Sequence, residues 1–377
     1  MGESAKPELV LIVPGRLETR TGGYEYDRRM LAGLRERGWL VEVRELDASF
    51  PRPTAAALDD AAHVLAAIPD RATVLIDGLA FGALPAEVER EAGRLRLVAL
   101  VHHPLAAETG IHPDAAARLA TSERRALAAA RVVVVTSPAT VSALATYGVS
   151  PDRIAGVEPG TDRAPLAIGS QGTVRQLLCV ATLIPRKGHE ILFRALASIP
   201  DRNWRLTCVG SVERHPPTVD RLRAQLRADG LEDRVSLVGE LDAATLAGCY
   251  DRADLFVLPT EYEGYGMAVA EALARGLPVI ATTTGAIPEL VNLRGSSVRL
   301  QPDQSAGLLV PPGDAEALAE ALALVLGDAR VRERLAAGAR LVRDRLPSWD
   351  DAVGKMVAVL EQVQLKADAT YDIVADE

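Results

Sequence analysis

Pro259-Thr-Glu-Tyr-Glu-Gly-Tyr-Gly-Met-Ala-Val-Ala-Glu-Ala-Leu-Ala-Arg-Gly-Leu-Pro-Val-Ile280 decides the fold. An apolar run, Leu255–Pro259, leads into it, and a second, Pro278–Thr282, leads out. Between them a turn with two glycines opens an alanine-rich helix, Gly266–Arg275. Strand, turn, helix, turn and strand in close succession make a βαβ unit, the building block of a parallel sheet.

The same rhythm extends outward in both directions. Upstream it predicts strands Gln176–Thr182, Trp204–Gly210 and Val235–Val238, with helices Gly188–Ser198, Thr218–Asp229 and Ala243–Ala253 between them. Downstream come strand Gly307–Val310 and helix Ala315–Leu326. Pro165–Thr173 is a polar, glycine-containing break that reads as a linker. Before it lies a second series: strands Leu9–Val13, Leu40–Arg44, Thr73–Ile76, Leu95–Val101, Val132–Thr136 and Ile154–Val157, alternating with helices Tyr24–Arg37, Ala55–Ala67, Pro85–Gly93 and Ser122–Ala130. Such short, wholly apolar strands suit a sheet covered by helices on both faces. Trp349–Leu365 has apolar residues near helical spacing, and Lys366–Glu377 reads as a loose acidic tail.

The expected architecture is α/β, with two doubly wound, Rossmann-like units facing a central cleft. Residues 1–165 form the first, 166–345 the second, and 346–377 a closing helix and tail. In such folds ligands meet the carboxyl ends of the strands.

Composition narrows the class. The 377 residues are 48% hydrophobic and 25% charged, with a formal net charge of −9. That acidity argues against gripping a nucleic-acid backbone, where positive charge supplies most of the affinity. No apolar run approaches the roughly 20 residues of a membrane span, and none at the start resembles an export signal. The lack of an export signal weighs against a two-lobed transport-type binding protein. Cys179, Cys208 and Cys249 have no CxxC spacing and point to neither disulfides nor a thiolate metal site. A dinucleotide oxidoreductase would show GxGxxG after the first strand, and that loop lacks it.

Several residues fall where chemistry is expected. Glu263 sits in the turn, and Glu271 follows by eight residues, just over two turns at about 3.6 residues each. Gly264 and Gly266 let the backbone approach a ligand, and amides at the helix start suit an anion. A sugar hydroxyl on Glu263, a phosphate on the amides and a ribose on Glu271 is one filling. The plainer alternative makes Glu263 a helix cap and Glu271 a solvated residue. Arg186 and Lys187 follow the first strand of the second series, where adjacent cations can steady a diphosphate. In the first series, Gly22-Gly23 lies between strand and helix, and His102-His103 closes the strand Leu95–Val101.

Taken together these motifs resemble a known family. Glu263-Gly-Tyr-Gly with Glu271, Ala274-Arg-Gly-Leu-Pro-Val, Gly285-Ala-Ile-Pro-Glu289 and Gly307-Leu-Leu-Val-Pro-Pro-Gly-Asp are similar to the GT-B glycosyltransferases of family 4. Arg186-Lys-Gly, Val238-Gly-Glu-Leu, Ala253-Asp-Leu-Phe-Val-Leu-Pro and Val157-Glu-Pro-Gly-Thr-Asp162 extend the resemblance. It implies a retaining, metal-independent enzyme without a cofactor, moving a sugar from a nucleotide-diphosphate sugar to a hydroxyl of a glycan, glycolipid or small glycoside. A nucleotide-sugar epimerase or a sugar phosphorylase of the same fold is the alternative.

Carried onto this chain, Glu263 would bind sugar hydroxyls and Glu271 the ribose, with the amides of Tyr265, Gly266 and Met267 facing sugar and phosphates. Lys187 would neutralise the diphosphate, and Gly239 and Leu241 would offer backbone contacts to the base. His102 takes the place of the family's active-site histidine, with His103 the competing assignment, and Gly22 and Gly23 match its N-terminal glycine loop. One departure stands out: Ala181-Thr182 replaces the family's frequent Gly-Arg, and Arg186 is expected to supply the second charge. The resemblance also implies a cytoplasmic location. The basic residues Arg28, Arg29, Arg35, Arg37, Arg124 and Arg125 suggest peripheral contact with the inner membrane face. Sugar, base, acceptor and oligomeric state stay open.

Overall fold

The computed structural model describes residues 7–108, 111–292 and 305–371, except the side chains of 366–371. The chain divides into two units, Met1–Gly160 with Pro347–Glu377, and Thr161–Leu346.

The first unit is built on six parallel strands: β1 (Glu8–Pro14), β2 (Leu40–Leu46), β3 (Thr73–Asp77), β4 (Arg96–Val101), β5 (Val132–Val135) and β6 (Ile154–Gly156). Their order is β2-β1-β3-β4-β5-β6, with Ile12 in register with both Arg44 and Ile76. Between them run α1 (Gly22–Glu36), α2 (Ala55–Ala66), α3 (Gly78–Phe81), α4 (Pro85–Glu91), α5 (Pro113–Ala129) and α6 (Pro138–Ala145). Alternate strand residues feed two separate cores. Val10, Ile12, Val74, Ile76, Leu97 and Ala99 pack on one face, while Leu9, Leu11, Val13, Leu75, Val98 and Leu100 pack on the other. Period-two alternation with both faces covered explains why these strands carry no polar face.

The second unit repeats the plan with β7 (Arg175–Val180), β8 (Trp204–Val209), β9 (Val235–Leu237), β10 (Leu255–Leu258), β11 (Val279–Thr282) and β12 (Gly307–Val310). Its helices are α7 (His189–Ser198), α8 (Pro216–Ala228), α9 (Ala243–Arg252), α10 (Met267–Ala274), α11 (Ile287–Asn292), α12 (Ala315–Gly327) and α13 (Ala329–Arg343). The strand order β12-β11-β10-β7-β8-β9 is the Rossmann order, and it reverses between β7 and β10. In the first unit the reversal falls between β1 and β3. Ligand crevices in open parallel sheets form at such reversals. A final helix, α14 (Trp349–Tyr371), returns to the first unit, where Ala352, Val353, Met356, Leu360 and Val363 join the core beneath α1.

Several elements differ from the sequence reading. The helix expected over Ser122–Ala130 begins at Pro113, because His112 accepts from the Asp114 N–H and proline suits the first helical position. Three helices, α6, α11 and α13, lie where the sequence reading placed none. Pro165–Thr173, read as a linker, is bonded to the second unit: Ala167 N–H donates to Arg275 O, and Ile168 and Gly169 donate to Asp251 O. The first crossing between units lies at Gly160/Thr161 and the second at Leu346/Pro347, not after 165 and 345. Lys366–Tyr371, read as tail, continues the backbone of α14, and residues 372–377 lie outside the described residues. Among the described residues no helix is long and apolar enough to cross a membrane.

Candidate active site

At the reversal of the second sheet, Lys187 and Glu263 meet. A short 3-10 turn, Pro185–Lys187, follows β7 and ends on Gly188, which has φ +68°. A Cβ at Gly188 would stand 2.0 Å from Pro259 O, so only glycine lets this turn lie against the end of β10. The arrangement brings Lys187 Nζ to 2.5 Å from Glu263 Oε2, with the two side chains 15% and 16% exposed. Arg186 faces elsewhere. Its Nη1 donates to Tyr262 O at 2.7 Å, and its own carbonyl accepts from Glu261 N–H and Thr260 Oγ1. Arg186 therefore braces the turn that carries Glu263.

The same turn rests on the connection after β11. Gly285 has φ +55°, and its hypothetical Cβ would lie 1.6 Å from Glu263 O, while Ala286 N–H donates to Gly264 O at 3.1 Å. Gly266, at φ +96°, is the N-cap of α10 and makes no side-chain cap. Glu263 does not cap the helix in its place. Tyr265 is buried, and Met267 begins the helix. Glu271, two turns on, is half-buried and accepts from Tyr250 Oη at 2.9 Å. The Arg275 guanidinium lies 4.4 Å from the Tyr250 ring centroid and donates to Glu271 O. Burial, then the Glu271 charge, push the Tyr250 phenol well above its ordinary value, so it stays a donor. Glu271 is thus a fixed carboxylate and not a solvated helix residue. Gly239, at φ +74°, follows β9, and its carbonyl accepts from Gly210 N–H at 2.9 Å, while Leu241 is half-buried nearby in the chain.

In the first unit a second cluster stands at the β1/β3 reversal. Gly22 and Gly23, expected in the loop, form the first turn of α1. A Cβ at Gly23 would come 3.3 Å from His102 Cδ2, so the helix start lies directly on the imidazole. His102 follows β4, with Nε2 3.5 Å from Asp27 Oδ1 and 3.5 Å from Asp77 Oδ2. Burial alone would lower the imidazole pKa. Hydrogen bonding and charge from Asp27 and Asp77 override it and raise the value to about 10. Burial lifts Asp27 to about 6, with His102 opposing the rise. His103 turns elsewhere, Nε2 standing 3.9 Å from Glu108 Oε2.

The structure therefore joins Lys187 with Glu263 and Gly23 with His102, and it separates His103 from that second cluster. Sequence reasoning missed Asp27, Asp77 and Tyr250. Asp77 ends β3 and was within reach of the rule that singled out His102. Asp27 carried a subtler sign, an acid on the apolar face of a helix. The basic residues of the first unit have partners within it: Arg28 bonds Glu25, Leu17 O and Thr19 O, Arg35 bonds Val41 O, Arg37 bonds Asp350, and Arg125 bonds Glu89.

Residues 174–328 match the family model described as glycosyl transferases group 1. Among characterised relatives, the chain is 29% identical to the MMP alpha-(1->4)-mannosyltransferase of Mycolicibacterium hassiacum, over 85% of this chain and 79% of that one. It is 29% identical to the D-inositol 3-phosphate glycosyltransferase of Jonesia denitrificans, over 68% of this chain and 63% of that one. The alignment thus spans less than two thirds of the latter relative's length. Of solved structures, sucrose-phosphate synthase from Thermosynechococcus elongatus superposes with a TM-score of 0.79 at 21% identity, covering 95% of this chain and 99% of that one. Anabaena Alr3699/HepE in complex with UDP-glucose gives 0.73 at 18%, covering 94% and 99%. Both likenesses establish the architecture: two Rossmann-like units of the GT-B fold. Residues 174–328 are accordingly a glycosyl transferases group 1 domain, carried by a chain of that fold.

Proposed function

We propose that the chain is a retaining glycosyltransferase that moves a sugar from a nucleotide-diphosphate sugar to a hydroxyl acceptor, without a metal ion. The observation that carries this reading is the Lys187–Glu263 pair at the β7/β10 reversal, beside the glycine-capped start of α10. The family match and the names of the relatives support it, and the HepE structure holds UDP-glucose at the same fold.

Breaking the anomeric C–O bond builds positive charge on carbon and negative charge on the departing diphosphate. Lys187 and the α10 amides supply positive charge for the second. Glu263 receives sugar hydroxyls, Glu271 receives the ribose, and Arg186 holds the Glu263 turn in place. The acceptor oxygen forms the new bond on the face the diphosphate leaves, and its proton passes to a diphosphate oxygen.

The test is a thermal-shift screen of UDP-, GDP- and ADP-sugars, followed by transfer assays with and without chelator and NMR of the product anomer. A stabilising donor, chelator-resistant transfer and retained configuration are expected. Glu263→Gln should cost about 10²–10³-fold in kcat while leaving the melting temperature nearly unchanged. A folded, fully active variant, or conversion of the donor without acceptor, overturns the assignment.

A further inference from the structure

His102 is gripped from several sides. Asp27 reaches it from α1 and Asp77 from the end of β3, and both carboxylates are buried, Asp27 being only 1% exposed. Asp77 also caps α3, its Oδ1 accepting from Leu79 N–H at 2.8 Å, which fixes the carboxylate's orientation. The Tyr26 ring meets the imidazole edge-on at 5.3 Å, and its hydroxyl donates to Val157 O. Gly23 closes the side of Cδ2, and Thr136 and Thr140 hydroxyls donate to the His102 carbonyl. Of the neighbouring charges on α1, Arg28 is turned to Glu25 and to the carbonyls of Leu17 and Thr19. On the chain after β4, His103 faces Glu108.

The charges at this point fit one protonation state best. A neutral imidazole offers Nε2–H as a single neutral donor to two buried carboxylates. Their negative charge, withdrawn from water, would then be largely uncompensated, which is costly. An imidazolium offsets that charge while keeping the ring in place. We propose that Asp27 and Asp77 are positioning residues that hold His102 as a fixed imidazolium, so that it acts in transfer as a hydrogen-bond donor and cannot serve as a general base.

The inference rests on the reading of His102 as a donor-sugar contact. It assigns to this site an acceptor oxygen, a sugar hydroxyl or a phosphate oxygen, since an imidazolium has no lone pair to offer. It also leaves the acceptor's proton to the leaving diphosphate: the acceptor O–H bond breaks, the new C–O bond forms, the anomeric C–O(P) bond breaks, and the proton ends on the phosphate oxygen.

The experiment follows the imidazole nitrogens of ¹⁵N-histidine-labelled full-length protein by NMR from pH 5.5 to 9.5, with Asp27→Asn, Asp77→Asn, the double variant, and His102→Gln for assignment. Transfer rates are measured over the same range. In the wild type both His102 nitrogens should stay protonated across the range. In the double variant the ring should titrate about two pH units lower or more. Transfer by Asp27→Asn should fall about tenfold at pH 9 and recover toward wild type at pH 6, where the ring is charged again. Asp77→Asn keeps an oxygen for the α3 cap and serves as the reporter if Asp27→Asn melts early.

A neutral His102 in the wild type at pH 7.5, a titration unmoved by the double variant, or a stoichiometric divalent metal lost in Asp27→Asn each overturns the proposal. Wild-type protein that transfers no sugar yet holds a charged His102 removes the transferase reading and leaves the charge assignment standing. Active protein with a neutral His102 does the reverse.

Discussion

At the scale of single residues, the pairing of Tyr250 with Glu271 shows how a helix carboxylate becomes a binding group. A glutamate on a helix has long rotamer freedom, and ordering it on a ligand costs entropy. Here a buried phenol and the Arg275 guanidinium hold it beforehand. Tyr250→Phe removes one hydrogen bond to a charged group, worth about 1.5–3 kcal/mol. It should raise the donor KM about tenfold or somewhat more, with kcat little changed. Preference for a ribonucleotide donor over its 2′-deoxy analogue should shrink in step. Unchanged sugar discrimination with a raised KM would mean that Glu271 does not meet the ribose. The sequence made Glu271 visible through its spacing from Glu263, but not Tyr250, because a tyrosine in an ordinary amphipathic helix carries no sign of its partner. His102 was similarly visible at a strand end, whereas its two aspartates come from elements distant in sequence.

At the scale of elements, the turns matter more than the helices they join. The loop bearing Glu263 has no regular structure of its own and is seated on the β11–α11 connection by the near contact at Gly285. Gly285→Ala would force a left-handed φ on an L-residue and drive its methyl into Glu263 O. Destabilisation of about 3 kcal/mol or more is expected, read as a lower melting midpoint, together with transfer loss beyond what the melting shift explains. A variant that melts like the wild type and transfers normally would show that the seat is not needed.

Element boundaries were legible where caps were conventional. Strand Gly307–Val310 matches as read, and the helix read over Ala315–Leu326 ends one residue later. The helix α13 was not legible because Asp328 ends α12 and caps α13 at once, accepting from Arg330 and Val331 N–H. Without a glycine or proline between them, two helices read as one helix and a charged remainder, although Val331, Leu335, Ala339 and Val342 form a buried stripe.

At the scale of the whole chain, the restart of the strand–helix rhythm revealed two units, but the strand orders came only from the structure. Apolar runs on doubly covered sheets look alike wherever they sit, so the two different reversals left no trace in sequence. The return of α14 was legible as an amphipathic helix, but not the dependence of the first unit on it. Trp349 backbone lies where a Cβ on Gly160 would come within 2.2 Å, and Val353 lies where one on Gly33 would come within 2.4 Å, so both contacts need glycine. Five apolar side chains of α14 are buried there, each worth about 1.5–3 kcal/mol. Their loss would cost on the order of 10 kcal/mol, comparable with the whole stability of a domain. The second unit has a core cluster of its own that includes no residue of α14. Residues 161–346 expressed alone should therefore unfold cooperatively, whereas residues 1–346 should lose the first unit's transition, expose its α1 face to a hydrophobic dye, and yield a protease-resistant fragment of the second unit. Should residues 1–346 melt as the full chain does, with both units equally protected, α14 would be an accessory to the first unit and not one of its core elements.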